Sequence, residues 1–210
     1  MIEIKDVTKK FKDQTVLDGV TLTCPTGEIT GIIGHNGSGK SVLFKCICGL
    51  LYADSGEIRV DGQEMKRGGK MIQDAGVIIE NPSFLENETG FKNLDYLYCI
   101  AHKRDKEQVR QVLKKVRLDP ALKKKVKNYS LGMKQRLAIA QAIMEDPHIL
   151  ILDEPMNGLD SHGVDDMRAV FMQEKQKNKT ILIASHNKDD IDLLCDHVYR
   201  MENGKLQKIR

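Results

Sequence analysis

The sequence has no tryptophan, and aromatic residues make up only 5% of it. No apolar run approaches the ~20 residues that a membrane-spanning helix needs, so a protein that crosses the bilayer in that way is excluded. The first residues, MIEIKDVTKKF, have no apolar h-region, and no secretory leader is expected. The five cysteines are odd in number and irregular in spacing. Cys46 and Cys48, inside VLFKCICGLL, read as small core hydrophobes rather than metal ligands. This usage points to the cytosol, with thiols reduced. A net charge of +3 is too small to argue for nucleic acid, though it permits a mild attraction to phosphates. There is no Pro/Gly/Ser linker, no low-complexity tract and no internal repeat.

What is present fits an ordinary globular chain. At 210 residues, 40% apolar and 30% charged, it can bury a real core as one domain with a subdomain. Short apolar strands are predicted in MIEIKDVTKKF, in TVLDGVTLTC with a turn at Asp18-Gly19, in GEITGIIG and in GEIRVDG. A helix is expected from Ser41 to Leu51. GVIIENPSF reads as a strand over Val77, Ile78 and Ile79 that Pro82 ends, with Glu80 at its exit. Helical periodicity runs from about Gly90 to Val116, with Leu94, Leu97, Ile100 and Ala101 on one face. LGMKQRLAIAQAIM is an amphipathic helix stopped by Asp146-Pro147. HILILDEP and TILIAS are buried strands, Asp160 to Asn178 and Lys188 to Leu194 are helical, and Asn203-Gly204 signals a closing hairpin.

Strands alternate with helices at both ends, which predicts an α/β fold with a mostly parallel sheet. The middle is nearly all helix. The expected organisation is a single domain in which 1–83 and 145–210 form the α/β core and 84–144 form an inserted helical subdomain.

GHNGSGKS, Gly34 to Ser41, follows the apolar strand ITGII and opens a helix, as a Walker A phosphate loop does. Glycines let a backbone wrap tightly and aim N–H groups at phosphate oxygens. The helix behind the loop adds its positive end. Gly34, Asn36, Gly37, Ser38 and Gly39 would form the cradle. Lys40 would reach the terminal phosphates and Ser41 would offer its hydroxyl to Mg²⁺. His35 falls at a free loop position and reads as a tolerated side chain.

ILILDEP ends a buried strand at Asp153 and Glu154. Parallel sheets place ligands at the carboxyl ends of their strands. Asp153 can then hold Mg²⁺, and Glu154, one step further out, can act as general base on the attacking water. ILIASHN repeats the pattern and ends at His186, whose imidazole can bond the γ-phosphate and link Glu154 to it.

These motifs, in this order, resemble the ATP-binding subunits of ABC transporters over essentially the whole chain. YSLGMKQ, Tyr129 to Gln135, stands where that family has its signature sequence. Leu131 and Met133 replace its usual glycine and glutamine, while Ser130 and Gly132 remain. NGLD, ending at Asp160, resembles the D-loop. SLGMKQRL with IIENPSF is most similar to the bacitracin-resistance and lantibiotic-immunity branch.

The resemblance implies a P-loop ATPase core with an N-terminal antiparallel β part. It implies ATP and Mg²⁺ as cofactors, and a homodimer or heterodimer of ATPase subunits closing on ATP. In that pair Ser130, Gly132 and Met133 would touch the nucleotide held by the other subunit. Phe11 stands where the family stacks an aromatic on adenine; its alternative reading is a half-buried strand-end aromatic. Val16 and Val42 join the expected nucleotide contacts. Glu80 stands where most relatives carry a glutamine. As a carboxylate it would be a metal-side ligand, with Asn81-Pro82 turning the chain toward the partner; otherwise it is a solvated strand-end acid.

A separate integral membrane permease is the implied partner. The subunit would lie on the cytoplasmic face of the membrane, with an antimicrobial peptide or drug as cargo and no nucleic acid. The lysines Lys123, Lys124, Lys125 and Lys127 read as a solvated face, with lipid headgroup contact as the other reading. Two alternatives differ in class. One is a soluble ABC-type ATPase acting on nucleic acid or ribosomes, disfavoured by the short helical insert. The other is a small-molecule P-loop kinase, disfavoured by YSLGMKQ and NGLD.

Overall fold

The computed structural model describes residues 1–80 and 83–210. The expectation placed on Asn81-Pro82 lies outside the described residues. The described residues form ten strands and six α-helices. The first strands, β1 (Ile2–Phe11), β2 (Gln14–Cys24), β4 (Ser55–Val60) and β5 (Gln63–Glu64), build an antiparallel sheet in the order β2-β1-β4-β5. The second sheet has the order β10-β9-β3-β8-β7-β6. Its members are β3 (Ile29–Ile33), β6 (Ala75–Ile78), β7 (Ile149–Asp153), β8 (Thr180–Ser185), β9 (His197–Glu202) and β10 (Lys205–Lys208). Its strands run parallel except for the edge pair β9-β10.

Every residue of β3, β7 and β8 is buried. A continuous apolar run with no polar face is what a strand covered on both sides requires. Side chains of a strand alternate between its two faces. Ile149 and Ile151 of β7, with Leu182 and Ala184 of β8, therefore join Leu43, Phe44 and the antiparallel sheet in one core. Leu150, Leu152, Ile181 and Ile183 join the helices on the other face. The helix α1 (Lys40–Ile47) belongs to the first core. The helices α4 (Leu131–Ile143), α5 (Ser161–Gln176) and α6 (Lys188–Leu194) belong to the second. Cys24, Cys46, Cys48 and Cys195 are buried, and burial pushes each thiol up, to about 11 for Cys46 and about 12 for the others.

Five expectations need correction. Asp18-Gly19 is not a turn: β2 passes through it, and register shifts against β1 absorb the extra residues. Gly19 sits at φ +64° opposite Asp6 at φ +51°, so the positive φ that suggested a turn belongs to bulged strands. The region from Gly90 to Val116 is two helices, α2 (Gly90–Ala101) and α3 (Lys106–Lys115). Asp105 starts the second, its carboxylate accepting from the Glu107 and Gln108 N–H groups. Ile100 is 80% exposed rather than on the buried face. At about 100° per residue it lies some 240° round from Leu94, whereas Leu97 and Tyr98 stay beside the core. Finally, β6 stops at Ile78, before Ile79, and α1 stops at Ile47, before Leu51.

Candidate functional site

The loop between β3 and α1 is shaped by its glycines. Gly37 and Gly39 lie at φ +82° and +113°, where a side chain is strained. A Cβ on Gly39 would also lie 2.9 Å from the Val16 carbonyl, and one on Gly34 would lie 2.6 Å from that of Met201. The Asn203-Gly204 turn braces the loop from behind. Gly204 N–H donates to the Ser38 carbonyl, and the Gly204 carbonyl accepts from Asp18 N–H. No side chain caps α1, so its first-turn N–H groups keep the unmet hydrogen-bonding capacity that binds anions.

Lys40 is buried at the base of this loop. Its Nζ donates to the Gly34 and His35 carbonyls at 2.6 and 3.2 Å. The same Nζ lies 3.7 Å from Glu154 Oε1. Ser41 Oγ donates to Asp153 Oδ2 at 2.5 Å. Burial pushes the Asp153 carboxyl above the usual carboxylate range against the Ser41 hydrogen bond; the Glu154 charge adds to the rise, Lys40 opposes it and Glu80 adds a little more.

Glu154 follows the last residue of β7 at φ +50°, in the left-handed region. Its N–H donates to the Ala184 carbonyl of β8 at 2.9 Å, which holds that conformation. Oε2 accepts from His186 N–H and lies 2.8 Å from His186 Nδ1. Oε1 is buried with no hydrogen-bond partner among the described residues, and so is Ser38 Oγ.

A cavity of about 500 Å³ opens over these groups. That is the size of a small-ligand site. From the phosphate loop it takes Asn36, Gly37, Gly39, Lys40, Ser41 and Val42, and Val16 closes one wall. Glu80, Asp153 and Glu154 line the other side. The residues fit a magnesium-bound nucleotide. Uncapped N–H groups and a lysine suit phosphates, and a hydroxyl beside a carboxylate is a hard-oxygen pair suited to Mg²⁺. Glu80 is held by Lys45, whose Nζ donates to Glu80 Oε1 at 2.5 Å.

Two further lining residues, Gln135 and Asn157, escape sequence reasoning. Gln135 lies on α4, and its Nε2 donates to the Pro155 carbonyl at 2.8 Å and the Glu154 carbonyl at 3.4 Å. It thereby ties α4 to the backbone of the strained Glu154. Its place within YSLGMKQ was visible; its reach to a strand end 20 residues away was not.

The other expected residues stand apart from the cavity. Phe11 does not line it. It ends β1, 43% exposed, with Lys9 Nζ 5.4 Å from its ring centroid. His35 is exposed, its Nδ1 2.9 Å from the Asn36 carbonyl. Ser130 caps α4, its Oγ accepting from Met133 N–H at 3.2 Å. Leu131 fits the first helical turn without needing glycine there. Gly132 is close to Gly158, whose carbonyl would lie 3.0 Å from an added Cβ. Asp160 caps α5, accepting from Gly163 N–H at 2.8 Å. Ser130 and Asp160 are thus exposed, Gly132 and Met133 half-buried with Met133 against the core, and none of the four is a wall of the cavity.

Comparison with known proteins places this geometry. The family model described as ABC transporter matches residues 17–157. The uncharacterized ABC transporter ATP-binding protein YybJ of Bacillus subtilis is 41% identical over 99% of this chain and 95% of its own. The bacitracin transport ATP-binding protein BcrA of Enterococcus faecalis is 38% identical, covering 98% of this chain and 68% of its own. The lantibiotic transport ATP-binding protein SrtF of Streptococcus pyogenes is 34% identical, covering 98% and 89%. Among solved structures, an ATP-binding subunit of an ABC transporter superposes with a TM-score of 0.88 at 29% identity, over 100% of this chain and 89% of that one. A dimeric bacterial ABC transporter cassette reaches the same TM-score at 23% identity, over 100% and 99%, a likeness of fold. With a family match across two thirds of its length and a phosphate loop, a strand-end acid pair and a signature helix in one fold, this chain belongs to the ABC transporter ATP-binding proteins and is an ATPase.

Proposed function

We propose that the chain powers a peptide exporter, working as a head-to-tail pair of ATPase subunits beneath a separate membrane permease. The pair is a homodimer or a heterodimer, seated on the cytoplasmic face. An antimicrobial peptide as cargo is supported by BcrA and SrtF, which are named for bacitracin transport and lantibiotic transport. Residues 84–144 act as a helical subdomain that carries the signature, and 1–83 with 145–210 act as the ATP-binding core.

Lys40 leaves the Gly34 and His35 carbonyls for the terminal phosphates of ATP, while the loop N–H groups and the α1 terminus hold the rest. Ser41 and Asp153 would hold Mg²⁺, with Glu80 as a further carboxylate at the rim. Bound there, Mg²⁺ supplies charge neutralisation at the phosphates. Glu154 takes the proton of the attacking water on Oε1. His186 holds Oε2, orients the carboxylate and reaches the γ-phosphate. Val16 and Val42 give apolar contacts to the nucleotide. Phe11 contributes to adenine only if it moves from its exposed place at the end of β1. Ser130, Gly132, Met133 and Asp160 complete the site of the other subunit.

One observation carries this reading: a single carboxylate with one oxygen held by histidine and the other unbonded beside the phosphate-loop lysine. Glu154→Gln keeps the shape and removes the base. Turnover is expected to fall by about 10²–10⁴, with ATP binding retained and an ATP-bound dimer accumulating on size exclusion. Near-normal hydrolysis would overturn the assignment.

A further inference from the structure

Charge is spread unevenly along this chain. Residues 103–127 contain eleven Lys or Arg against three Asp or Glu, whereas the whole chain contains 33 against 30, leaving 22 against 27 for everything else. Twenty-five residues are therefore +8 inside a protein of +3.

The structure lays these charges out on one side of α3 and on the loop before the signature. Lys106, Arg110 and Lys114 recur every fourth residue on α3 and are exposed, while Val109, Val112, Leu113 and Val116 face the core. The loop is pinned by its backbone. Lys125 bridges Thr89, Val126 N–H donates to the Glu88 carbonyl and Lys127 N–H to the Glu86 carbonyl. Lys123, Lys124, Lys125 and Lys127 are all exposed on this fixed frame.

The arginines and the lysines differ in company. Arg104 pairs with the buried Asp95, Arg110 with Glu107 and Arg117 with Asp166. Lys115 pairs with Glu174. The seven remaining lysines have no acid at ion-pair distance among the described residues. What is left over is lysine only: compact, hydrated point charges on flexible stems. Such an array matches a diffuse anionic surface rather than one carboxylate or phosphate gripped by a guanidinium fork. No aromatic residue lies within 103–127, and Phe91 beneath Arg110 is half-buried, so exposed rings do not interleave with these lysines as a stacking platform for single-stranded nucleic acid requires. Tyr96 and Ile100, one turn apart on α2 and exposed, precede Lys103 and supply an apolar edge. A transporter subunit works beside a bilayer whose inner leaflet is anionic, and clusters of four to eight lysines there are drawn to it.

We propose that residues 103–127 form a cationic face that seats this subunit on anionic lipid headgroups without help from the permease. The inference rests on membership of the transporter family and not on the catalytic assignment.

The test uses the full chain, without permease, and vesicles of phosphatidylcholine with or without added anionic phosphatidylglycerol. Sedimentation is expected with the anionic vesicles alone and is expected to fall steeply as salt rises. Lys123→Glu/Lys124→Glu/Lys125→Glu should lose about 100-fold in partitioning, and Lys103→Glu/Lys106→Glu about 25-fold. Both variants should keep the wild-type ATPase rate in detergent-free buffer, which certifies their fold. At matched ionic strength, inorganic phosphate should release no more protein than chloride does, since single phosphates do not reproduce a surface. Equal sedimentation with neutral and anionic vesicles, or equal binding by wild type and both variants, would overturn the proposal. So would retention on RNA or polyglutamate with none on anionic vesicles.

Discussion

Glu80 shows what one side chain can decide. Its residue sits at φ +61° beyond the end of β6, and its side chain is 62% exposed. Lys45, which holds its carboxylate, lies four residues beyond Ser41 on α1, one turn on along the same face. On the proposed assignment, Mg²⁺ and Lys45 compete for one carboxylate. Glu80→Gln removes the charged oxygen and is expected to raise the Mg²⁺ concentration needed for half-maximal binding of a fluorescent ATP analogue. Lys45→Met frees the carboxylate and is expected to lower it. The two shifts should have opposite sign, each about two- to fivefold, the size of a partly exposed ion pair. Identical Mg²⁺ midpoints in all three proteins would leave Glu80 a surface acid. The identity of Glu80 could be read from the sequence. Its company could not, because Lys45 is 35 residues away and nothing in a helix pattern says which strand end it will face.

Between elements, a charged network joins the end of α5 to the start of β8 and to α3. Glu174 is buried and meets both Lys179 and Lys115. Burial would push its carboxyl up, but the hydrogen bonds from Lys115 and Lys179 outweigh that and leave it below the usual range. Asp146, between α4 and β7, accepts from Lys177 and Lys179, which pull it down to about 2. A depressed carboxylate stabilises the fold at pH values above its unfolded pKa of 3.8, and that contribution disappears as pH falls toward 2. Acid unfolding of the wild type should therefore steepen below about pH 4, and Asp146→Asn should flatten that window. At neutral pH, Lys179→Met should cost about 3 kcal/mol in urea denaturation, because it leaves a buried carboxylate short of a partner. Glu174→Met added to it should restore most of the loss. A cost below about 0.5 kcal/mol for the single change would show that Lys115 alone satisfies Glu174. The elements themselves were largely legible. The apolar runs of β3, β7 and β8 and the closing hairpin follow from pattern and turn chemistry. The gap between α2 and α3 was hidden because Asp105 begins a helix while Lys103 and Arg104 continue the polar run around it.

For the whole molecule, the surface bearing Ser130, Gly132, Met133 and Asp160 lies outside the cavity of its own chain. On the proposed pairing it faces the nucleotide of the other subunit. Ser130→Arg should spare ATP binding by its own chain, whereas Lys40→Ala should abolish it. Mixed in equal amounts, the two inactive proteins should form some dimers with one intact composite site. About half of wild-type turnover per such dimer, or about a quarter averaged over all dimers formed at random, is expected if each site works alone, and less if the two must fire together. Confirmed mixed dimers with no activity above either variant would argue against the head-to-tail pair.

The sequence by itself determined the local chemistry: the glycines that let a loop wrap, the lysine and serine that open the helix behind it, and the apolar strands that end in Asp153-Glu154 and Ser185-His186. Each is a matter of neighbouring residues, where backbone freedom and side-chain period act directly. The tertiary structure decided which of these groups meet. Asp153 reaches Ser41 across 112 residues, His186 reaches Glu154 across 32, and the Asn203-Gly204 turn closes on Ser38. It also decided that Phe11 stands outside the cavity while Gln135 lines it. Such pairings depend on strand order and helix packing, and those arise from burying many apolar faces at once rather than from any short stretch of chain.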